Sequence, residues 1–138
     1  MSKILGIDYG LKRIGISIAD SEQRIAFGLT TINTNDFDQF ISKFLKENDV
    51  SSIIIGNPVN LDGTNTDCSN HAKGFAKRLE NQFPAISFHF IDERFTSKMA
   101  RKAILYSGIK KSKRRDKKIV DKVSATILLQ DYFYSDKK

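Results

Sequence analysis

Several residue types are scarce in this chain, and each scarcity narrows the class of protein. The 138 residues include one cysteine, Cys68, and no tryptophan. A single cysteine excludes an intramolecular disulfide and fits a reducing compartment, so we expect a cytoplasmic protein. No apolar run approaches the length of a membrane span, and the N-terminus lacks the successive sections of a signal peptide. The sequence therefore predicts no association with a membrane.

Histidine is also scarce, which limits the metal chemistry that the chain can support. His71 and His89 are the two histidines, and neither has a zinc-ligand spacing to the other or to Cys68. We interpret both histidines as structural or surface residues, and Cys68 as part of the apolar face of a helix. The sequence therefore favours a metal site built from carboxylates over a zinc site.

The composition is otherwise that of a folded domain. Hydrophobic residues make up 40% of the chain and include 10 phenylalanines. A chain of this length can bury a core without disulfides or structural metals. No linker or internal repeat divides the sequence, so we predict a single domain over residues 1–138.

The positive charge is concentrated in one place. The chain has 23 basic and 16 acidic residues, a net charge of +7. A basic segment from Lys110 to Lys118 carries six of these net charges, with Asp116 as its one acid. Its basic residues are Lys110, Lys111, Lys113, Arg114, Arg115, Lys117 and Lys118. Such a segment predicts a nucleic-acid partner held by its phosphates, although a solvated loop without a partner is the alternative.

Three short apolar runs open the chain and are typical of an antiparallel meander. We predict strands at Lys3–Asp8, Arg13–Ala19 and Ile25–Ile32, joined by tight turns. The second shows the alternation of a strand, with Ile14, Ile16 and Ile18 on one face.

The pattern then alternates between helices and strands. A helix with Asn35 or Asp36 as its N-cap leads into a buried strand at Ser52–Gly56, and Pro58 predicts a loop from Asn57 onward. Further helices are expected at about 65–82, 96–106 and 118–134, with a fifth strand at Ile86–Ile91. This order predicts an α/β fold, in which a mixed five-stranded sheet combines the meander with parallel strands and carries helices on both faces.

Acidic residues stand at the ends of three of these elements. Asp8 ends the first strand, Asp92 and Glu93 follow the fifth, and Asp121 lies near the start of the last helix. Asp121 shares a helix face with Ala125 and Leu128, so it should face the protein body. Each acid alone could cap a turn or form an ion pair, Asp121 for example with Lys118 or Lys122.

Taken together, converging carboxylates favour a hard cation such as Mg²⁺ or Mn²⁺. Two such ions could stabilise both the attacking and the leaving oxygen of a phosphodiester. With the basic segment, this predicts phosphodiester chemistry. Lys12, Arg13 and Arg94 are further candidates for phosphate contacts.

Four groups of residues resemble the motifs of the YqgF family, in order and over nearly the whole chain. They are Gly6-Ile7-Asp8-Tyr9-Gly10 with Lys12-Arg13-Ile14-Gly15, then Gly56-Asn57-Pro58 with Asn60-Leu61-Asp62-Gly63-Thr64, then Asp92-Glu93-Arg94-Phe95-Thr96, and finally Asp121 with Ala125, Ile127, Leu128 and Gln130. Proteins of this family are described as pre-16S ribosomal RNA nucleases and as Holliday-junction-resolvase-like. The sequence departs from the family pattern by small changes at Ser97 and Ser124, and at Asn57 it has a polar residue where an aliphatic one is common.

The resemblance implies a ribonuclease-H-like fold and a nuclease reaction. It implies that Asp8, Glu93 and Asp121 are the catalytic residues and the metal ligands. Glu93 is preferred over Asp92 because the resolvase-like pattern has a glutamate there, but the sequence leaves this choice open.

The leading hypothesis is a metal-dependent nuclease that processes the 5′ end of pre-16S rRNA. Its expected partner is structured RNA, and the ribosome is a further candidate partner. The alternatives are a Holliday-junction endonuclease, which would act on DNA junctions, and a non-catalytic nucleic-acid-binding module. Sugar kinases and actin-like ATPases share the first hairpin motif, but they need a second such domain, for which 138 residues leave no room.

Overall fold

The strands and helices that the structure describes follow the predicted order. The computed structural model describes residues 2–58, 67–93 and 117–136, and at positions 57, 58, 67–69, 92, 93, 117, 118 and 134–136 it describes the backbone only. The elements are β1 (Lys3–Asp8), β2 (Arg13–Asp20), β3 (Phe27–Asn33), a 3₁₀ turn (Thr34–Asp36), α1 (Phe37–Glu47), β4 (Val50–Pro58), α2 (Asp67–Gln82), β5 (Ser87–Glu93) and α3 (Lys117–Asp136).

The strands form one mixed sheet in the order β3-β2-β1-β4-β5. The pairs β1–β2 and β2–β3 are antiparallel, whereas β1–β4 and β4–β5 are parallel. The predicted combination of a meander with parallel strands is therefore confirmed. Strand β1 lies at the centre, so its carboxyl end is flanked by strands on both sides.

Helices cover both faces of the sheet, as predicted. On one face, Leu5 and Ile7 of β1 pack with Phe37 and Ile41 of α1 and with Leu79 of α2. On the other face, Ile4 and Ile54 pack with Leu129 and Phe133 of α3. We call these the α1–α2 face and the α3 face. Because successive residues of a strand alternate between faces, each position near the end of β1 has a defined side.

Two strands continue further than the sequence predicted. A loop was expected from Asn57, but β4 runs to Pro58, which pairs with Glu93. Proline is tolerated here because it is the last strand residue, where one missing N–H donor removes little of the ladder. The expectation that Asp92 and Glu93 follow β5 was also wrong, since they are its last two residues.

The remaining differences concern helix ends. Asp36 occupies the N-cap position of α1, but its side chain makes no capping hydrogen bond, because a 3₁₀ turn precedes the helix. The helix predicted over 96–106 lies outside the described residues. No helix within the described ranges is both long and apolar enough to cross a membrane.

Helix α3 packs closely on the sheet because small residues stand beneath it. A Cβ atom added at Gly6 would be 2.9 Å from the Leu129 Cβ, and one at Gly28 would be 2.7 Å from the Lys122 Cγ. The buried Ser17 donates a hydrogen bond of 2.7 Å to the Ala125 carbonyl, which ties β2 to the helix. This hydrogen bond helps to set the position of Asp121, which lies one turn before Ala125 in α3.

Candidate active site

Asp8 lies at the carboxyl end of the central strand. It pairs with Gly15 of β2 on one side and with Gly56 of β4 on the other. Its side chain is half-buried and belongs to the α3 face, because it alternates with Ile7, which packs on the opposite face. In open α/β sheets, the carboxyl ends of the strands are the usual position of ligands.

Gly15 brings Asp121 to the same place. A Cβ atom at Gly15 would overlap the main-chain carbonyl of Asp121 and would lie 3.2 Å from the Asp121 Cβ. Residues paired across antiparallel strands share a face, so Gly15 and Asp8 both face α3. The backbone of Asp121 therefore rests on the residue directly beside Asp8.

The carboxylate of Asp121 already has a cationic partner. The Arg13 Nε donates a hydrogen bond of 2.9 Å to the Asp121 Oδ2. The two side chains are 27% and 25% exposed, so this ion pair is only partly screened by water. The sequence suggested Arg13 only as a phosphate contact and proposed Lys118 or Lys122 as the ion-pair partner of Asp121. The structure pairs Asp121 with Arg13, and the side chain of Lys118 lies outside the described part of the structure.

The backbone register distinguishes positions 92 and 93. Ile91 pairs with Gly56, which pairs with Asp8, so these three positions share the α3 face. Ile91 also packs with the apolar cluster under α3. Because faces alternate along β5, position 93 belongs to the face of Asp8 and position 92 to the opposite one. The side chains of Asp92 and Glu93 lie outside the described part of the structure.

The residues present fit a divalent cation in their chemistry. Within residues 2–58, 67–93 and 117–136, no group of three His, Cys, Asp or Glu side chains could hold a metal ion. Asp8 and Asp121 are nevertheless brought to neighbouring positions, and the Asp121 carboxylate binds a guanidinium cation. Both offer the oxygen ligands that Mg²⁺ and Mn²⁺ prefer.

The other predicted site residues are only partly described. Lys12 is exposed in the turn after β1. The backbone of Lys117 and Lys118 forms the first turn of α3, so the basic segment leads directly to the turn that carries Asp121. Its other basic residues, Lys110, Lys111, Lys113, Arg114 and Arg115, lie outside the described residues, as does Arg94.

Two residues of the sequence motifs have roles that we did not predict. Gln130 holds the loop before β3 through two hydrogen bonds. Its side-chain oxygen accepts one of 3.0 Å from the Ala26 N–H, and its side-chain nitrogen donates one of 3.2 Å to the Arg24 carbonyl. From the sequence, Gly15 had no role beyond its place in the second strand and in the first motif, although it admits the Asp121 backbone. A glycine inside a strand often indicates close approach of another backbone, so Gly15 itself was a sequence signal for this contact.

Comparisons with known proteins identify the family of this chain and support its mixed-sheet fold. Residues 2–135 match the sequence profile of the family described as "RuvX: Holliday junction resolvase". The chain belongs to this family. The resemblance to the YqgF family is thereby confirmed.

Full-length relatives support the RuvX assignment. A protein of Christiangramia forsetii named "Putative pre-16S rRNA nuclease" is 41% identical over 134 residues, which cover 97% of this chain and 99% of that protein. A protein of Phocaeicola vulgatus with the same name is 42% identical over 137 residues, which cover 99% of each chain. The RuvX chain is thus a member of a nuclease family, whose reaction is the hydrolysis of phosphodiester bonds.

Solved structures confirm the ribonuclease-H-like fold of this RuvX chain. T. thermophilus RuvC, in complex with a Holliday junction substrate, has a TM-score of 0.59 at 15% identity and covers 99% of this chain and 96% of its own. The fowlpox virus resolvase, in complex with Holliday junction DNA, has a TM-score of 0.58 at 15% identity and covers 99% of both chains. At this identity, the likeness concerns the fold.

Proposed function

We propose that this chain is a single-domain, metal-dependent nuclease that processes the 5′ end of pre-16S rRNA. The observation that carries the proposal is the register at the carboxyl edge of the sheet, where Asp8, the Asp121 backbone and position 93 share one face. The names of the full-length relatives support the choice of substrate. Such a substrate implies action in the cytoplasm and an encounter with the ribosome or its precursors.

Asp8, Glu93 and Asp121 would hold the cation, Mg²⁺ or Mn²⁺. When bound, the ion supplies Lewis-acid stabilisation of the charge that develops on the phosphate. Asp8 projects from the rigid central strand, and Asp121 is fixed because its helix turn rests on Gly15. Glu93 is preferred over Asp92 since its position shares the face of Asp8. The basic segment would hold the phosphate backbone without reading sequence.

A side-by-side cleavage assay tests the substrate. We expect purified protein with Mg²⁺ or Mn²⁺ to cut an RNA that carries the 5′ extension of 16S rRNA. A four-way DNA junction of similar length should be cut much more slowly if precursor rRNA is the substrate. Product ends mapped at nucleotide resolution give the cleavage position, and binding of each substrate is measured separately.

Each other outcome contradicts part of the proposal. Faster, symmetric cutting of the junction would favour the Holliday-junction endonuclease, which the family description makes the second candidate. Such an enzyme should also be dimeric, because it must cut two strands. Tight, salt-sensitive binding of both substrates, without turnover in either metal, would favour the non-catalytic binding module.

Arg13 is expected to compete with the cation for Asp121. Replacing Arg13 by glutamine frees the Asp121 Oδ2, which the guanidinium engages at 2.9 Å. For a partly exposed ion pair worth about 0.5–1 kcal/mol, Mn²⁺ should bind roughly 2–5-fold more tightly. Isothermal titration with Mn²⁺, in the absence of nucleic acid, measures this change without relying on activity.

The matched control is Lys12→Gln, which removes one positive charge from the adjacent, exposed position. It should leave the Mn²⁺ affinity nearly unchanged. Weaker Mn²⁺ binding in the Arg13→Gln protein would contradict competition, and would show instead that Arg13 holds Asp121 in the geometry that the cation needs.

A further inference from the structure

A polar cavity lies between α1 and α2, on the other side of β1 from Asp8. We call it the α1–α2 cavity. Its volume is about 480 Å³, within the range of small-molecule sites. The residues that matter for its chemistry are Tyr9, Asn35, Asn70, His71, Gly74 and Arg78. The proposed reaction leaves this cavity without a role.

The presence of glycine at position 74 is the first observation that indicates a ligand in the cavity. It lies inside α2, where glycine destabilises a helix relative to alanine. A Cβ atom at Gly74 would meet no atom within 4 Å, so packing within the described chain does not require glycine there. Gly6, Gly15 and Gly28 differ, since a Cβ at each would collide with α3. Close approach of a ligand to the α2 backbone would account for Gly74.

The lining matches the chemistry of an unpaired nucleotide. Tyr9 presents an aromatic ring, held by a tilted contact with Phe75 at 4.8 Å between centroids. The side chains of Asn35, Asn70 and His71 offer donors and acceptors for a base edge. Proteins recognise single-stranded RNA in this way, by stacking a base on an aromatic ring and bonding its edge.

Arg78 supplies a cation for a phosphate at the same cavity. Its guanidinium pairs with Asp38 at 3.1 Å, but the two side chains are 57% and 58% exposed. An ion pair so accessible to water is weak, so Arg78 can exchange Asp38 for a phosphate at little cost. The cavity therefore combines a stacking surface, base-edge groups and one phosphate-binding cation.

The cavity is also in the right place for a substrate strand. Tyr9 directly follows Asp8, and adjacent Cα atoms lie about 3.8 Å apart. The turn after Tyr9 is held against the cavity by Thr34, which is one of the lining residues. The Thr34 Oγ1 donates a hydrogen bond of 2.8 Å to the Gly10 carbonyl. A strand that crosses the carboxyl end of β1 would pass from Asp8 into the cavity.

We propose that the α1–α2 cavity binds one unpaired nucleotide of the substrate strand, next to the phosphate that is cut. This inference rests on the proposed nuclease function for the identity of the strand. Such a site makes the enzyme selective for substrates that have an unpaired nucleotide beside the cleavage site. Neither the three acids nor the basic segment would provide this selectivity.

The test fills the cavity through Gly74. In Gly74→Leu, the new Cβ meets no atom of the described residues within 4 Å, so the thermal midpoint should be equal to or above that of the wild type. Affinity for a single-stranded RNA oligonucleotide, measured in EDTA, should fall by about 5–50-fold, the effect of losing one stacked base. Affinity for a fully paired RNA duplex should not change. Asn81→Leu is the matched control, since Asn81 is exposed on the same helix and outside the cavity.

A second variant keeps the inference testable if Gly74→Leu folds poorly. The double variant Asn70→Ala/His71→Ala removes base-edge groups at exposed positions and should also weaken single-strand binding selectively. If both variants bind single strands as the wild type does, the cavity is not a nucleotide site. Because binding is measured without metal, this failure is separate from failure of the nuclease proposal, which would appear as absence of cleavage by the wild type.

Discussion

Replacing Asp8 by asparagine should abolish cleavage while RNA binding persists. The change keeps the size of the side chain but removes the negative charge that would hold the cation at the end of β1. Loss of several kcal/mol of charge stabilisation lowers the rate by roughly 10²–10³-fold or more. RNA affinity should stay within about threefold of the wild type, since phosphate contacts depend on basic residues. Cleavage under single-turnover conditions and binding in EDTA separate the two effects.

Asp49→Asn provides a matched control for this experiment. Asp49 is exposed and directly precedes β4, at the end of the strands opposite to Asp8. Its carbonyl accepts a hydrogen bond of 2.7 Å from the Lys3 N–H. The same chemical change there should leave cleavage intact. Undiminished cleavage by the Asp8→Asn protein, with either Mg²⁺ or Mn²⁺, would eliminate the proposed role of this carboxylate.

Replacing Gly15 by alanine should destabilise the fold and impair the site together. The new methyl group would overlap the Asp121 carbonyl, which is main chain and cannot rotate away. Overpacking of this kind costs about 1–3 kcal/mol, and more where backbone must move. Helix α3 would shift away from β2 and carry Asp121 away from Asp8. Urea denaturation should show the lower stability, and Mn²⁺ titration the weaker cation binding.

Gly74→Ala is the opposite case and serves as the control. It makes the same substitution in a place where the Cβ meets no atom within 4 Å among the residues that the structure describes. It should therefore raise stability by up to about 1 kcal/mol through helix propensity. Equal stability of the Gly15→Ala and wild-type proteins would mean that α3 does not rest on β2 at this point.

Much of the fold could be predicted because local patterns and chain order agree. The alternation in β2 and the helical spacing of Phe37 and Ile41 each indicate one kind of element. Meander and crossover rules then leave few arrangements of five strands, and the observed one is among them. The ends of β4 and β5 were missed, because pairing between the two strands extends them to Pro58 and Glu93.

The candidate site was predictable in its residue types and less so in its contacts. Asp8 and Asp121 could be chosen from their places at element ends. The ion-pair partner of Asp121 could not be identified in this way, because Arg13 is 108 residues away in sequence and contacts Asp121 only when α3 packs on β2. The close contact at Gly15 likewise depends on how far the helix approaches the sheet.

The sequence by itself determined the family, the order of elements and the acids that could bind a cation, because motifs and periodicity are local properties of the chain. Only the tertiary structure decided which face of the sheet each acid shares, that Arg13 neutralises Asp121, and that a cavity opens beside Tyr9. These depend on strand register and on the distance between helix and sheet. Both are set by pairing and packing between residues far apart in the chain.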